Sequence, residues 1–277
     1  MFRRLHADRL TRANEVTMAY TSTLSDEGWD FIEEMFSRRS SNAGRPPAWA
    51  RRTIVDAILY VVKNGVTWRD LPRDFPPWKT VYHYFRSWSL SGLWRDVSLI
   101  LVEAERVAAG RDESPSLASV DSQSQTAEPG VSERGLDGGK LVNGRKRHIA
   151  VDVQGLLLAC YCTAANVSDV VGGEKLVLAL NNKEMFPRLA KILGDNAYKA
   201  VGRKLPIAVT VENSERKPGQ KGFVPAAFRW AVERTFAWLN RQRRLCRNFE
   251  KKVCHQESMN YIGNIRLCLS RISLWMK

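Results

Sequence analysis

Paired cysteines are missing from this chain. Its five Cys (Cys160, Cys162, Cys246, Cys254 and Cys268) are odd in number and include no CxxC pair. That argues against a disulfide framework or a zinc knuckle and fits thiols in a reducing compartment. His255 follows Cys254, but no second ligand pair follows at zinc spacing. No apolar run reaches membrane-span length. The opening "MFRRLHADRLTRANEVTM" has basic residues without the apolar core of a secretory signal. Residues 1–20 read as a loosely ordered leader, with Met18 as an alternative start. No repeat occurs at solenoid spacing. Acids are the scarce charge: 29 Asp and Glu stand against 43 Lys and Arg, a net charge of +14. A field of that size attracts polyanions, and nucleic acid is the expected partner. The bases are not gathered on one amphipathic helix, which disfavours a membrane surface.

The 277 residues suffice for two modest domains. Residues 21–112 read as all-helical. "TSTLSDEGWDFIEEMF" starts with Thr23 or Ser25 as N-cap, and Trp29, Ile32 and Phe36 recur at helical spacing. "WARRTIVDAILYVVKNG" puts Ile54, Ile58, Val61 and Val62 on one face and stops at Gly65. After the turn-rich "TWRDLPRDFPP", Pro77 opens "WKTVYHYFRSWSLSG". There Val81, Tyr84, Phe85 and Trp88 point one way, and Lys79, Tyr82, His83 and Arg86 the other. A helix pair whose second member has a basic-aromatic outer face suits a helix-turn-helix lying in a major groove, although a bundle with a solvated charged face has the same pattern. "LWRDVSLILVEAERVAA" closes the group.

Polar residues 110–117 mark the boundary, and the period then changes. "LASVDSQS", "RHIAVDVQG" and "LLLACYCTAA" read as strands. "SDVVGGEKLVLAL" reads as a helix capped by Ser168, "RLAKILGDNAY" as a strand ending in an acid, and "KLPIAVTVEN" as another strand. "FRWAVERTFAWLNRQRRL" and "MNYIGNIRLCLSRISLW" read as helices. This order predicts an α/β domain over residues 113–277, a mixed sheet with helices on it. The stretch "QSQTAEPGVSERGLDGGKLVNGRK" reads as a long Gly-rich loop.

Three acids stand where chemistry could use them. Asp121 is at or near the end of the first strand, Asp195 ends a later one, and Glu233 is a lone carboxylate in a helix crowded with Arg and Trp. Strand ends and a covering helix can converge at one rim of a sheet. Converging carboxylates need a cation, and hard oxygen donors suit Mg²⁺ or Mn²⁺. Two such ions, about 3.5–4 Å apart, can clamp the attacking and leaving oxygens of a phosphodiester. Asp152, Asp169 and Asp137 are rival candidates, since an Asp at a strand end is often only a turn former or cap.

A resemblance narrows the choice. "LSDEGWDFIEEMF", "AILYVVKNGVTWRDLPRDFPPWKTVYHYFRSW", "VDSQSQTAEPGVSERGLDGGKLVNGRKRHIAVDVQGLLLACYCTAANVSD" and "RWAVERTFAWLNRQRRLCRNFE" resemble, in order and spacing, bacterial insertion-sequence transposases of the insertion sequence five family. The likeness runs from about residue 21 to about residue 250. It implies a DDE transposase with a ribonuclease H-like catalytic core, preceded by a helical DNA-binding domain. By that resemblance the acids fall on Asp121 of "VDSQS", Asp195 of "GDNAY", with Tyr198 three places later, and Glu233 of "WAVERTFAWLNR". A related group has Tyr-x2-Arg-x3-Glu-x6-Lys around the last acid. Arg229 and Glu233 keep its middle, whereas Ala226 and Asn240 replace its Tyr and Lys.

The resemblance implies a transposase that uses Mg²⁺ or Mn²⁺, with two ions held by Asp121, Asp195 and Glu233. It would bind the terminal inverted repeats of its own element, cut there, and transfer the 3′-hydroxyl ends to target DNA. No covalent protein–DNA intermediate is needed, so no Ser or Tyr nucleophile is assigned. The expected DNA contacts are Lys79, His83 and Arg86 in the helical domain, Arg145, Lys146 and Arg147 at the end of the Gly-rich loop, and Arg229, Arg234, Arg241 and Arg244 around the third acid. Trp230 and Trp238 join that collar, and Phe228, Val232, Phe236 and Leu239 should pack on the sheet. Joining two ends calls for a homodimer or a larger synaptic assembly, in the cytoplasm and at the nucleoid of a prokaryote. Two rival readings are a domesticated DNA-binding protein that never cuts and a nuclease or resolvase without strand transfer.

Overall fold

A computed structural model describes residues 20–37, 48–213 and 229–275, and the side chains of all of these except 213, 229 and 272–275. Four helices come first: α1 (Asp26–Ser37), α2 (Arg51–Asn64), α3 (Trp78–Leu90) and α4 (Leu93–Ala108). Trp29, Ile32 and Phe36 of α1 are buried, as are Ile54, Ile58, Val61 and Val62 of α2. Each such aliphatic side chain contributes about 1.5–3 kcal/mol on burial. Gly65 ends α2 with φ 72°, its N–H donating to Val61 O. Only glycine adopts that left-handed conformation without strain. The connection from Gly65 to Pro77 contains a short 3₁₀ turn, Trp68–Asp70. It is far longer than the three or four residues of a helix-turn-helix turn.

The strands are β1 (Leu117–Thr126), β2 (Gly135–Asp137), β3 (Val142–Val151), β4 (Leu157–Ala164), β5 (Lys191–Gly194) and β6 (Thr210–Asn213). They form one mixed sheet in the order β2-β3-β1-β5-β6, with β4 also on β3. β1, β3 and β4 are antiparallel; β1, β5 and β6 are parallel. The remaining helices are α5 (Asp169–Leu180), α6 (Asn196–Lys204), α7 (Arg229–Asn240) and α8 (Val253–Trp275). Two segments differ from the sequence expectation. Half of the Gly-rich stretch is strand, because β1 continues to Thr126 and β2 pairs with the start of β3. The segment after Asp195 is a helix, α6, with only Tyr198 and Val201 buried.

The sheet's two faces are occupied differently. Ser122 donates to Asp169 at the start of α5 (2.8 Å), and His148, its partner on β3, contacts Tyr198 of α6 (3.2 Å). On the other face Arg147 donates to Gln123, its cross-strand partner, and to Asn240 of α7. Side chains alternate along a strand, so Asp121 shares the α7 face with Gln123. The C-terminal α8 packs on α4, on β4 and on α1, α2 and α3, joining the helical region to the sheet. Among the described residues, no helix is long and apolar enough to cross a membrane.

Candidate active site

Asp121 is in β1, and Asp195 directly follows the neighbouring strand β5. β1 and β5 run parallel with Leu117 opposite Lys191 and Ser119 opposite Leu193. Continued two residues past that last pair, the same offset would bring Asp121 level with Asp195, which lies just beyond the end of β5. Asp195 has extended backbone (φ −80°, ψ −174°) and caps α6, accepting from Ala197 N at 2.9 Å and Tyr198 N at 3.2 Å. Asp121 accepts from Ser122 N at 2.7 Å. Tyr198 lies buried behind both. Burial, together with the negative charges of Asp169, Asp121 and Asp195, pushes its phenol well above the usual tyrosine range. Its hydroxyl meets Nδ1 of His148, whose own pKa burial lowers to about 4.

Glu233 is exposed on α7, a helix that packs on β1 and β3. Val232, Phe236 and Leu239 are its buried contacts with the sheet; Phe228 lies outside the described residues. Thr235 Oγ1 donates to Gly155 O at the β3–β4 turn, and Asn240 meets Arg147 farther along. The helix therefore runs alongside β1 in the same direction. Among the described residues, no three His, Cys, Asp or Glu side chains stand close enough to hold one metal ion. Asp121 and Asp195 lie on or just past neighbouring strands, and Glu233 is on the helix that packs on β1 and β3, without closing a three-ligand cluster.

The rival acids have other work. Asp152 is fully buried, ion-paired with Arg106, and accepts from Gln154 N and Leu156 N, so it fixes the β3–β4 turn. Asp169 pairs with Lys146 at 2.9 Å and accepts from Ser122. Hydrogen bonds to Lys146 and Ser122 outweigh its burial and keep its carboxyl below the ordinary range, although burial is the largest single influence. Asp137 accepts from Ser124 and from the backbone of Gly139 and Lys140, a turn-forming role.

Several expected DNA contacts are corrected by burial. Arg145, Lys146 and Arg147 are not a solvent-facing end of a loop. They lie on the central strand β3, covered on both faces, and are 0%, 6% and 1% exposed. Arg145 donates to the backbone oxygens of Ser132, Glu250 and Lys251. Lys146 reaches Val167 O and Asp169, and Arg147 holds Gln123, Asn240 and Asn260. Arg244 is buried too: it pairs with Glu250 at 2.7 Å, donates to Val66 O and lies over Phe249. Arg234 is sandwiched between Trp230 and Trp238 (4.2 and 4.4 Å to the ring centres) and donates to Gln154 O, so the tryptophans pack against a base. Lys79, His83 and Arg86 are exposed on one face of α3, and Arg241 is exposed after α7. The Arg229 side chain and Ala226 lie outside the described residues.

Two features escaped the sequence reading. At Gly194 a Cβ would come within 2.7 Å of Tyr198 Cβ and 2.8 Å of Val120 Cγ2. The "GDNAY" stretch is thus one device, in which glycine admits the tyrosine, the aspartate caps the helix, and the tyrosine buries behind it. A Gly immediately before an acid and four residues before a Tyr was the available signal. The second is Asn240, read only as a departure from a related motif, which proves to be a point where α7 is tied to β3 through Arg147.

Comparison with known proteins agrees with this architecture. The family model described as "Putative transposase of IS4/5 family" matches residues 24–98, and the one described as "Transposase DDE domain" matches residues 112–259. An uncharacterized 16.2 kDa protein of insertion element IS402 from Burkholderia cepacia is 35% identical over 107 residues, 36% of this chain and 71% of that protein. A putative transposase for insertion sequence element IS402 from the same organism is 28% identical over 135 residues, 45% of this chain and 63% of that protein. No solved structure matches. With a family model covering more than half its length on the very segment that carries Asp121, Asp195 and Glu233, the chain belongs to the DDE transposases of bacterial insertion sequences.

Proposed function

We propose that this protein binds the terminal inverted repeats of its element, cleaves DNA there and joins the 3′-hydroxyl ends to target DNA, working as a homodimer or larger synaptic assembly. The observation that supports this most is the parallel β1–β5 pairing, whose last pair, Ser119 and Leu193, lies two residues before Asp121 on one strand and Asp195 on the other. The reading includes a ribonuclease H-like core, in keeping with an antiparallel β4-β3-β1 set continued by parallel β5 and β6. The donor set suits a hard cation in its chemistry: two carboxylates follow the paired stretch of neighbouring strands β1 and β5, and an exposed third stands on the helix that packs on β1 and β3. Asp121 and Asp195 would hold Mg²⁺ or Mn²⁺ with Glu233, and the bound ions would supply Lewis acidity toward the scissile phosphate.

The chain's own groups do the rest. The cap at Ala197 and Tyr198 fixes Asp195 on a rigid turn, so its carboxylate is oriented before DNA arrives. Tyr198 stays a neutral phenol and keeps water from the rear of the acids. Lys79, His83 and Arg86 form a face on α3 that suits a DNA groove or backbone, and Arg241 is placed to meet a phosphate after α7. The test is cleavage and strand transfer on inverted-repeat DNA with Mg²⁺. The assignment fails if Asp195→Ala or Glu233→Ala still cuts at the wild-type rate. A product whose 3′-end is never joined to target DNA would make the protein a nuclease instead.

A further inference from the structure

We infer that Arg147 and Asn240 form a positioning bridge that sets where Glu233 stands against the aspartates; this rests on the metal-dependent cleavage proposed above. Arg147 Nη2 donates to Gln123 Oε1 on β1 at 2.5 Å and to Asn240 Oδ1 on α7 at 2.8 Å. Nη1 reaches Asn260 Oδ1 on α8 at 3.2 Å, and the guanidinium lies over Phe236, 5.2 Å from the ring centre. One planar group therefore holds three elements at once. Gln125 Nε2 supports the same oxygen of Asn240 at 3.5 Å and donates to Leu245 O at 2.7 Å, anchoring the chain just past α7.

The bridge stands in register with the acids on both elements it joins. Gln123 is two residues from Asp121 on the same face of β1, about 7 Å away. Asn240 is seven residues from Glu233, nearly the same helical face and about 10 Å along the axis. Sliding or rolling α7 on the sheet would have to break the Arg147 contacts before Glu233 could move relative to Asp121. A guanidinium is suited to this because its fork fixes direction as well as distance. Its acceptors are all side-chain amides, and burial lowers its pKa to about 10, so the site tolerates a desolvated charge that an apolar residue of similar volume would avoid.

The test compares Asn240→Ala, Asn240→Asp and Arg147→Met. Asn240 is only partly buried, so its variants should fold even if Arg147→Met does not; melting temperature checks each. Two readouts are taken: the Mg²⁺ concentration for half-maximal cleavage of inverted-repeat DNA, and Mn²⁺ affinity measured by electron paramagnetic resonance without turnover. Outer-shell partners of a metal site typically change affinity or activity 10–100-fold. Asn240→Ala should raise the half-maximal Mg²⁺ concentration and the Mn²⁺ Kd about tenfold while leaving the Kd for DNA unchanged. Asn240→Asp keeps the acceptor oxygen and should restore both. If Asn240→Ala folds, binds DNA and keeps wild-type metal dependence in both assays, or if Asn240→Asp is as impaired as Asn240→Ala, the bridge does not position Glu233. A wild type that neither cuts nor binds Mn²⁺ removes the proposed function, and the inference with it.

Discussion

Replacing Asp195 by Asn and by Ala should separate its role in the helix from its role in the chemistry. The carboxylate accepts from Ala197 N and Tyr198 N and so caps α6. Asn caps about as well as Asp, whereas Ala forfeits roughly 1 kcal/mol. Both variants also remove a negative charge beside Asp121, which relieves repulsion by a similar amount in each. That relief cancels when the variants are compared with one another. The two substitutions are thus not equivalent controls: Asp195→Ala should melt about 2–4 °C below Asp195→Asn. Cleavage should instead fall equally in both, because neither offers a carboxylate to a cation. Losing several kcal/mol of metal-borne charge stabilisation is roughly a thousandfold in rate. The measurements are circular-dichroism melting and single-turnover cleavage of inverted-repeat DNA. An Asp195→Asn variant cutting within about tenfold of wild type would remove Asp195 from the metal site. Coincident melting of the two would remove the cap as a contributor to stability.

Three further outcomes follow from the geometry. Gly194→Ala drives a methyl against Tyr198 and Val120 in a close-packed core and should cost about 1–3 kcal/mol, read as a lowered urea midpoint at unchanged m-value. Burial raises the Glu257 pKa to about 7 from an ordinary 4.5, so the folded chain keeps a proton that the unfolded chain releases. Its contribution to stability is full below about pH 4.5 and falls as pH rises to about 7; Glu257→Gln should flatten that part of a melting-temperature profile. Replacing Lys79, His83 and Arg86 by Ala should weaken DNA binding and make the log Kd–log salt slope shallower by about 2, since two permanent charges are removed. An unchanged slope would take α3 off the DNA.

What could be read from sequence depended on whether a pattern had a period. α1 and α2 were legible because Trp29, Ile32 and Phe36, then Ile54, Ile58 and Val62, repeat at helical spacing and are buried as that spacing requires. α6 was not, since only Tyr198 and Val201 of "NAYKAVGRK" are buried, too few to show a period. Arg145, Lys146 and Arg147 misled for a physical reason. Consecutive bases are normally solvated, and these are buried because β3 is central and their partners lie at Ser132, Asn240, Glu250 and Asn260, most of them far along the chain. The acids were individually visible, but Asp152 looked as good as Asp121 until its ion pair with Arg106 was seen. Family resemblance chose among them; the β1–β5 pairing puts the two strands that lead to Asp121 and Asp195 side by side.

The excess of positive charge thus divides into two populations with different consequences. Arg106, Arg145, Arg147 and Arg244 face inward, where each ties distant segments together: α4 to the β3–β4 turn, β3 to residues 250–251, the sheet to α7 and α8, and the end of α2 to Glu250. Lys79, Arg86 and Arg241 face outward. Only the outward set can release counterions from DNA, so the salt slope counts those bases and is blind to the inward ones. The inward set should act on stability instead, and Arg147, the member that reaches α7, should also act on rate, because it helps hold the helix carrying Glu233 against the sheet. Neutralising an outward base should therefore change Kd and its salt dependence at constant cleavage rate per bound complex. Neutralising Arg147 should do the reverse, and that crossed pattern distinguishes a base that holds DNA from a base that holds the site.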